Sequence, residues 1–137
     1  MKNRISRILI LTLLSTTFML SSCENSDDGP VVLDRDKFLG LWKATSTGPG
    51  GSVNFNINIT ASNSDEDQII MENFDALGMG TYVGGNVTAN TVFIPTNLVN
   101  ADTISGTGLY HSGNTLSFDY EVRDGQTVEN RTATARR

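Results

Sequence analysis

Two stretches of this sequence alternate strictly between apolar and polar residues. They are residues 53–60, Val-Asn-Phe-Asn-Ile-Asn-Ile-Thr, and residues 116–123, Leu-Ser-Phe-Asp-Tyr-Glu-Val-Arg. A period of two places the apolar residues on one face of a strand and the polar residues on the other. From Leu39 onward no helical period competes with this pattern. The sequence therefore predicts an all-β domain whose strands have one buried and one solvated face.

Turn-forming residues divide the rest of this region into further strands. Ala89-Asn90, Gly113-Asn114 and Asp124-Gly125 each separate two apolar runs, as does the segment 62–65. Such spacing is typical of an antiparallel meander. We count about eight strands, the weaker ones at residues 41–47, 68–74, 80–87, 91–95, 103–110 and 126–136. Eight strands form a sandwich or an up-and-down barrel, and closure into a barrel is favoured because it leaves no exposed edges.

The first 22 residues have the pattern of a signal peptide. Lys2, Arg4 and Arg7 form a basic segment, followed by the apolar run 8–20. This run is too short, and too rich in serine and threonine, to span a bilayer comfortably. The alternative is an N-terminal helix that buries Cys23 in a core. We favour the signal peptide because a membrane-like run with a basic flank and no acidic residue is rarely a core helix.

The segment Leu20-Ser21-Ser22-Cys23 ends this leader and contains the one cysteine of the chain. It resembles the lipobox of bacterial lipoproteins. The resemblance implies cleavage before Cys23, a diacylglyceryl thioether on its sulfur and an acyl chain such as palmitate on its amine. Because each buried CH₂ contributes about 0.8 kcal/mol, two or three such chains anchor a protein firmly in a membrane.

An acidic tether, residues 23–37, follows the proposed cleavage site. Its residues Ser26, Asp27 and Asp28 resemble the export signal of Bacteroidetes surface lipoproteins. The resemblance implies an outer-membrane protein exposed at the cell surface. The alternative is a solvated linker, because runs of charged residues are often only solvated.

Charge and cysteine content exclude several classes of partner. Removal of the three basic residues of the leader takes the formal net charge from −5 to −8. An acidic excess of this size repels phosphate backbones, so we expect no nucleic-acid partner. With Cys23 lipidated and His111 the single histidine, no disulfide and no cysteine or histidine metal site is expected. The sequence predicts no cofactor.

Gly40-Leu41-Trp42 opens the first predicted strand after a short helical turn. This Gly-x-Trp resembles the start of lipocalin and calycin barrels, and residues 38–137 are similar to small lipocalin-like lipoproteins of Bacteroidetes. The resemblance implies that Trp42 closes one end of the barrel beneath an arginine of the last strand, Arg136 or, as the second choice, Arg131. The alternative makes Trp42 an ordinary core aromatic.

No catalytic site is predicted. His111 and Ser112 are adjacent in a predicted hairpin, so their side chains point to opposite faces, and serine is common in turns. The acidic segment 65–67 lacks the glycine-spaced ligand pattern of a calcium loop. We therefore expect neither an enzyme nor a metal protein.

The predicted function is binding of a small ligand or of other proteins. Glycines in the middle strands leave little bulk opposite the two apolar strands, which suggests space for a small apolar or amphipathic ligand. We expect the entrance to the ligand site between residues 78–80 and 96–102, with Tyr82, Gly84 and Phe93 beside it. The alternative is an accessory subunit of an outer-membrane assembly, with a filled barrel and outer-membrane protein partners.

Overall fold

A computed structural model describes residues 32–137 of the protein. The predicted signal peptide, the lipidated Cys23 and the export residues Ser26, Asp27 and Asp28 lie outside the described residues. Most of the predicted tether lies outside them as well. Within residues 32–137, no helix is long and apolar enough to cross a membrane.

The described region contains eight strands and two short 3-10 turns. The turns are Asp34–Phe38, before the first strand, and Phe74–Ala76, between the third and the fourth. The strands are β1 Gly40–Gly48, β2 Gly51–Ala61, β3 Gln68–Glu72, β4 Tyr82–Thr88, β5 Thr91–Val99, β6 Asp102–His111, β7 Thr115–Asp124 and β8 Thr127–Arg136.

The eight strands form a closed antiparallel barrel with up-and-down topology. Each strand pairs with the next in sequence, and β8 returns to pair with β1, where Lys43 lies opposite Arg136 and Thr47 opposite Thr132. This architecture confirms the prediction of an all-β, eight-stranded up-and-down barrel. Closure satisfies the backbone groups of every strand without leaving a sheet edge.

The stretch 96–102, which we expected to border the ligand entrance, is mostly strand. β5 continues to Val99, with a bulge between Ile94 and Asn97 that shifts its register against β6. The Asn97 side chain pairs with the backbone of Gly84, accepting from its N–H at 2.9 Å and donating to its carbonyl at 3.1 Å. The β4–β5 ladder pairs only residues 86–88 with 91–93, so the amide side chain joins β5 to backbone groups of β4 that lie beyond the ladder.

Side chains fill the barrel interior. The alternating residues of 53–60 and 116–123 place their apolar set inward as predicted, except that Val53 is 44% exposed. The core contains the following buried residues, each less than 2 % exposed: Phe38, Trp42, Ile57, Ile59, Ile69, Met71, Phe74, Val83, Val92, Ile94, Ile104, Leu116, Phe118 and Ala135.

The inward-facing glycines do not leave the empty space that we predicted. A Cβ placed on Gly108 would lie 2.5 Å from the Phe118 ring, and one on Gly85 would lie 2.5 Å from Val92. These glycines therefore make room for large neighbours that already occupy the interior.

The first 3-10 turn closes one end of the barrel, which we call the lower end. Phe38 is fully buried there, and its carbonyl accepts a 2.7 Å hydrogen bond from Trp42 Nε1. An Arg35 guanidinium nitrogen donates to the carbonyls of Ser62, Asp65 and Gln68 at 3.1, 2.6 and 3.3 Å. These bonds join the turn to the β2–β3 connection and hold it in place.

Candidate functional site

The lower end contains the predicted Trp42 but a different arginine. The guanidinium carbon of Arg137 lies 4.5 Å from the centre of the Trp42 ring, and its nitrogens donate to the carbonyls of Leu39 and Lys37 at 2.6 and 3.2 Å. Arg136, the predicted partner, is exposed on the outer surface.

Strand alternation explains why Arg137, and not Arg136, lies over Trp42. Ala133 and Ala135 face the interior, so Arg136 faces solvent and Arg137 is the next residue on the inner side. Arg131, the second choice, also faces inward but lies at the opposite end of the barrel, beside Gly48. Gly40 adopts a positive φ of 116° where β1 begins, a conformation that favours glycine.

The predicted ligand residues Tyr82, Gly84 and Phe93 lie together on β4 and β5, but on the outer surface of the barrel. Val83 and Val87 are the buried residues of β4, so its even-numbered residues face outward. Tyr82 is 57% exposed and Phe93 is 56% exposed. The side chains that we expected beside the entrance to the interior therefore face solvent instead, because adjacent residues of a strand point to opposite faces of the sheet.

The other end of the barrel, which we call the upper end, contains the candidate site. It is covered by the connection between β3 and β4, residues 73–81, which we call the upper loop. This loop inserts Phe74 into the interior, where the side chain is fully buried. The Phe74 ring lies edge-on to two aromatic rings of β7, with centroid distances of 5.2 Å to Phe118 and 4.9 Å to Tyr120.

Asp75 follows Phe74 and brings a carboxylate into the upper end. The Tyr120 hydroxyl donates to Asp75 Oδ1 at 2.6 Å, and an Arg131 nitrogen donates to Oδ2 at 2.8 Å. Arg131 also donates from two other nitrogens to Glu129 Oε2, at 3.0 and 2.6 Å. Each oxygen of the buried Asp75 carboxylate therefore has a donor, as a buried charge requires.

These contacts change the acidity of the groups. Burial raises the pKa of Tyr120 well above its ordinary value, and the hydrogen bond to Asp75 raises it further, while the Ser46 hydroxyl opposes the shift. The pKa of Arg131 is also raised, chiefly by its hydrogen bond to Glu129. Tyr120 is therefore a neutral donor and Arg131 a charged donor at the upper end.

The upper loop reaches this arrangement through an uncommon backbone conformation. Asn73, Asp75 and Ala76 have positive φ angles of 59°, 55° and 61°. Such angles cost of the order of 1–3 kcal/mol each for residues other than glycine, with asparagine and aspartate at the lower end of that range. Asn73 offsets part of the cost, because its side chain donates to the Asn56 carbonyl and accepts from the Gly78 N–H, both at 2.8 Å.

Sequence reasoning missed the role of the upper loop. Phe74 was predicted at the end of a strand and Tyr120 in the core, and Arg131 was only the second choice, after Arg136, for the arginine over Trp42. The available signal was the alternation itself, which places Tyr120 and Arg131 opposite each other on the inner faces of β7 and β8. An inward-facing arginine indicates a carboxylate partner, and the structure supplies two, Asp75 of the upper loop and Glu129 of the same strand.

The remaining polar candidates lie in exposed positions away from Asp75. His111 Nε2 and Ser117 Oγ lie 2.8 Å apart in an exposed pair, while Ser112 lies in the β6–β7 turn. Asp65 Oδ1 accepts from the Asp67 N–H at 2.9 Å in an exposed turn. Within residues 32–137, no group of three or more histidine, cysteine, aspartate or glutamate residues is placed to hold a metal ion.

The fold is shared with designed proteins. No family model and no curated protein matches the sequence. The solved structures that resemble it include two with a TM-score of 0.57 and 14% identity each. One is a redesigned β-barrel named b11L5F_LGL, with 80% of this chain and 98% of that chain covered. The other is the redesigned β-barrel mFAP1 bound to DFHBI, with 77% and 100% covered. The fold thus places the protein among small closed antiparallel β-barrels, consistent with a lipocalin-like barrel.

Proposed function

We propose that this protein is a lipid-anchored outer-membrane lipoprotein, exposed at the cell surface, whose lipocalin-like barrel binds a small apolar or amphipathic ligand. The role is one of binding rather than catalysis. One observation carries the proposal: the upper end of the barrel is closed by Phe74, which belongs to a loop and not to a strand. A ring supplied by a loop is able to leave the interior without breaking the strand pairing.

The proposed location of the protein, at the outer surface of the outer membrane, is supported by the sequence. A basic and then apolar leader ends in Leu20-Ser21-Ser22-Cys23, and Ser26, Asp27 and Asp28 follow at once. Acyl chains on Cys23 bury enough CH₂ groups to hold the protein at a membrane, and the acidic segment resembles a surface-export signal.

Ligand binding is supported by the dimensions of the barrel. An eight-stranded barrel has an interior that side chains just fill or that holds one small ligand. A similar barrel, mFAP1, is described bound to DFHBI. In this protein the Phe74 ring is fully buried in the barrel interior, at the place where we propose that a ligand of comparable size binds.

A second candidate function is that of an accessory subunit in an outer-membrane assembly. The packed interior favours it, as does a set of apolar side chains on the outer surface of β4, β5 and β6. Those that are more than two-fifths exposed are Tyr82, Phe93, Leu98 and Leu109. Scattered exposed apolar residues are normal, but neighbouring strands that share them present a surface suited to a protein partner.

A titration distinguishes the two functions. The mature chain, residues 23–137 with Cys23→Ser, is titrated with DFHBI and with a fluorescent fatty acid. We expect saturable binding at one site, tightened by Phe74→Ala and unchanged by the outer-surface control Phe93→Ala. Absence of saturable binding in the native chain and in Phe74→Ala would leave the accessory function. Loss of binding in Phe93→Ala alone would place the ligand on the outer surface.

A further inference from the structure

Phe74 and Asp75 together resemble a small bound molecule. The first supplies an aromatic ring and the second a carboxylate, and both belong to the upper loop rather than to the barrel wall. Phe74 is fully buried and Asp75 is 7% exposed. The two residues satisfy an apolar and a polar part of the same interior, and the chemistry of each part indicates what else would fit there.

The polar part is complementary to a carboxylate. The Tyr120 hydroxyl and an Arg131 nitrogen each donate to a different oxygen of Asp75, at 2.6 and 2.8 Å. A neutral amide in the same place would turn its NH₂ group toward one of these donors and lose that hydrogen bond. Two convergent donors, one of them charged, therefore select a carboxylate over an isosteric amide.

The apolar part is complementary to a flat ring. Phe118 and Tyr120 meet the Phe74 ring at interplanar angles of 82° and 64°. Edge-to-face contacts of this kind favour an aromatic group over an aliphatic one. Because Tyr120 contributes its ring to this part and its hydroxyl to the polar part, the two parts are adjacent.

We propose that the upper end of the barrel is a binding site for small aromatic carboxylates, and that Phe74 and Asp75 occupy it as an internal mimic until such a ligand displaces them. This inference rests on the function proposed above and adds the chemical class of the ligand. It also identifies the upper loop as the element that moves.

The upper loop has features that allow it to move out of the barrel interior. The β3–β4 ladder pairs residues 68–72 with residues 82–86, so the loop lies outside the hydrogen-bonded strands. Gly78 and Gly80, both at positive φ, provide conformational freedom on the β4 side of the turn. The left-handed angles of Asp75 and Ala76 are relieved when the turn opens.

The exchange also conserves charge. An incoming carboxylate replaces the Asp75 carboxylate beside Arg131, so the partly buried guanidinium keeps two carboxylate partners. Glu129 continues to accept two hydrogen bonds from Arg131, which keeps the guanidinium oriented while the ligand arrives. The ligand therefore meets two donors that are already in position.

The test compares 2-naphthoate with its neutral analogue 2-naphthamide by isothermal titration calorimetry. The mature chain carrying Cys23→Ser is titrated with each, alongside its Phe74→Ala and Asp75→Asn variants. Each variant weakens the internal mimic, so we expect 2-naphthoate to bind about tenfold tighter or more than it binds the native chain. The preference for 2-naphthoate over 2-naphthamide should disappear in Arg131→Gln and decrease in Tyr120→Phe.

A variant that strengthens the closed loop gives the opposite result. Ala76→Gly accommodates a φ of 61° without a Cβ, so it should weaken 2-naphthoate binding severalfold. If Phe74→Ala does not fold, Asp75→Asn and Ala76→Gly still provide the test.

Two outcomes would overturn the inference. The first is equal affinity for the acid and the amide in Asp75→Asn. The second is no binding of 2-naphthoate to any folded variant. If 2-naphthoate gives either outcome but DFHBI or the fatty acid binds saturably in the same preparations, the proposed ligand-binding function still stands. If none of the three compounds binds, both the inference and the proposed ligand-binding function are overturned.

Discussion

At the scale of single residues, the side of the wall that a residue faces determines what it does. Arg136 and Arg137 are adjacent and chemically identical, yet one is on the outer surface and the other covers Trp42. The same alternation directs Tyr120 and Arg131 to the interior, where they meet Asp75. The chemistry of both barrel ends thus depends on which residues of each strand face inward and which face outward.

Arg137 provides the first prediction. Removal of its guanidinium by Arg137→Ala should lower the free energy of unfolding, and the effect should be coupled to that of Trp42→Phe. A guanidinium over an indole at a partly exposed site contributes about 0.5 to 1 kcal/mol. A double-mutant cycle in urea measures the coupling, with Arg136→Ala as the matched control. Coupling of Trp42 to Arg136 instead of Arg137 would contradict the assignment.

Tyr120 provides a prediction about alkaline pH. Because its pKa is raised in the folded protein, the folded state keeps this proton to a higher pH than the unfolded chain, where tyrosine ionises near 10.0. The contribution of this group is fully present below pH 10 and is lost as the pH rises through the folded pKa. We expect the free energy of unfolding to fall above pH 10 more steeply in the native protein than in Tyr120→Phe. Parallel urea curves for the two proteins between pH 8 and 11 would refute this.

At the scale of elements, glycines in the strands serve two different purposes. Gly108 of β6 faces inward, and its lack of a side chain admits the Phe118 ring of β7. Gly84 of β4 faces outward, where the nearest atom to an added Cβ is Asn97 Oδ1 at 3.4 Å. Sequence reasoning treated Gly84 as part of a thin inner wall.

A pair of substitutions tests this difference. Gly108→Ala places a methyl group within 2.6 Å of both Phe118 and Val92, and overpacking of this kind costs about 1–3 kcal/mol. Gly84→Ala meets only ordinary van der Waals contact and should change the stability by less than about 0.5 kcal/mol. Urea denaturation of the two variants decides between them. A larger loss for Gly84→Ala would mean that β4 has the opposite orientation.

At the scale of the whole molecule, the barrel and its proposed anchor are separate features. The described residues 32–137 form a closed β-structure with both ends covered, and no helix among them is suited to cross a membrane. In our proposal, attachment to a membrane depends on the acyl chains on Cys23. The acidic residues behind it would then direct the barrel to the cell surface.

Cys23→Ala tests the anchor. We expect loss of lipidation, so that the protein stays uncleaved or becomes soluble instead of sedimenting with the outer membrane. Cell fractionation with mass spectrometry of the N-terminus measures both effects, and Ser22→Ala serves as a control with the cysteine intact. A mature-size, membrane-bound Cys23→Ala protein would show that the lipobox assignment is wrong.

Substitution of Asp27 and Asp28 tests the proposed export signal. Replacement of both by alanine should leave the protein lipidated but facing the periplasm, and therefore protected when intact cells are treated with protease. Replacement of Asp34 and Asp36 removes the same charge outside the proposed signal and should leave surface exposure unchanged. Equal digestion of the native and Asp27/Asp28 variants would mean that these residues only solvate the tether.

The sequence by itself determined the class of fold. Strict alternation in residues 53–60 and 116–123, together with turn residues at regular intervals, specifies antiparallel strands, and closure follows because a barrel leaves no edge. These signals are local, since each depends on neighbours two residues apart or on a single turn. The position of Trp42 at one end of the barrel was implied by the resemblance of Gly40-Leu41-Trp42 to lipocalin barrels, and in the structure Trp42 donates a hydrogen bond to the Phe38 carbonyl there.

Only the tertiary structure decided the chemistry of the interior. The inward positions of Arg137, Tyr120 and Arg131 depend on where each strand begins, and an error of one residue reverses the face. Asp75 reaches Tyr120 and Arg131 across 45 and 56 residues of sequence. The left-handed residues at this point of the upper loop are Asn73, Asp75 and Ala76, and none of the three is a glycine that would indicate the conformation from sequence. Contacts of this range exist once all eight strands have closed, because closure is what brings the β3–β4 connection over β7 and β8.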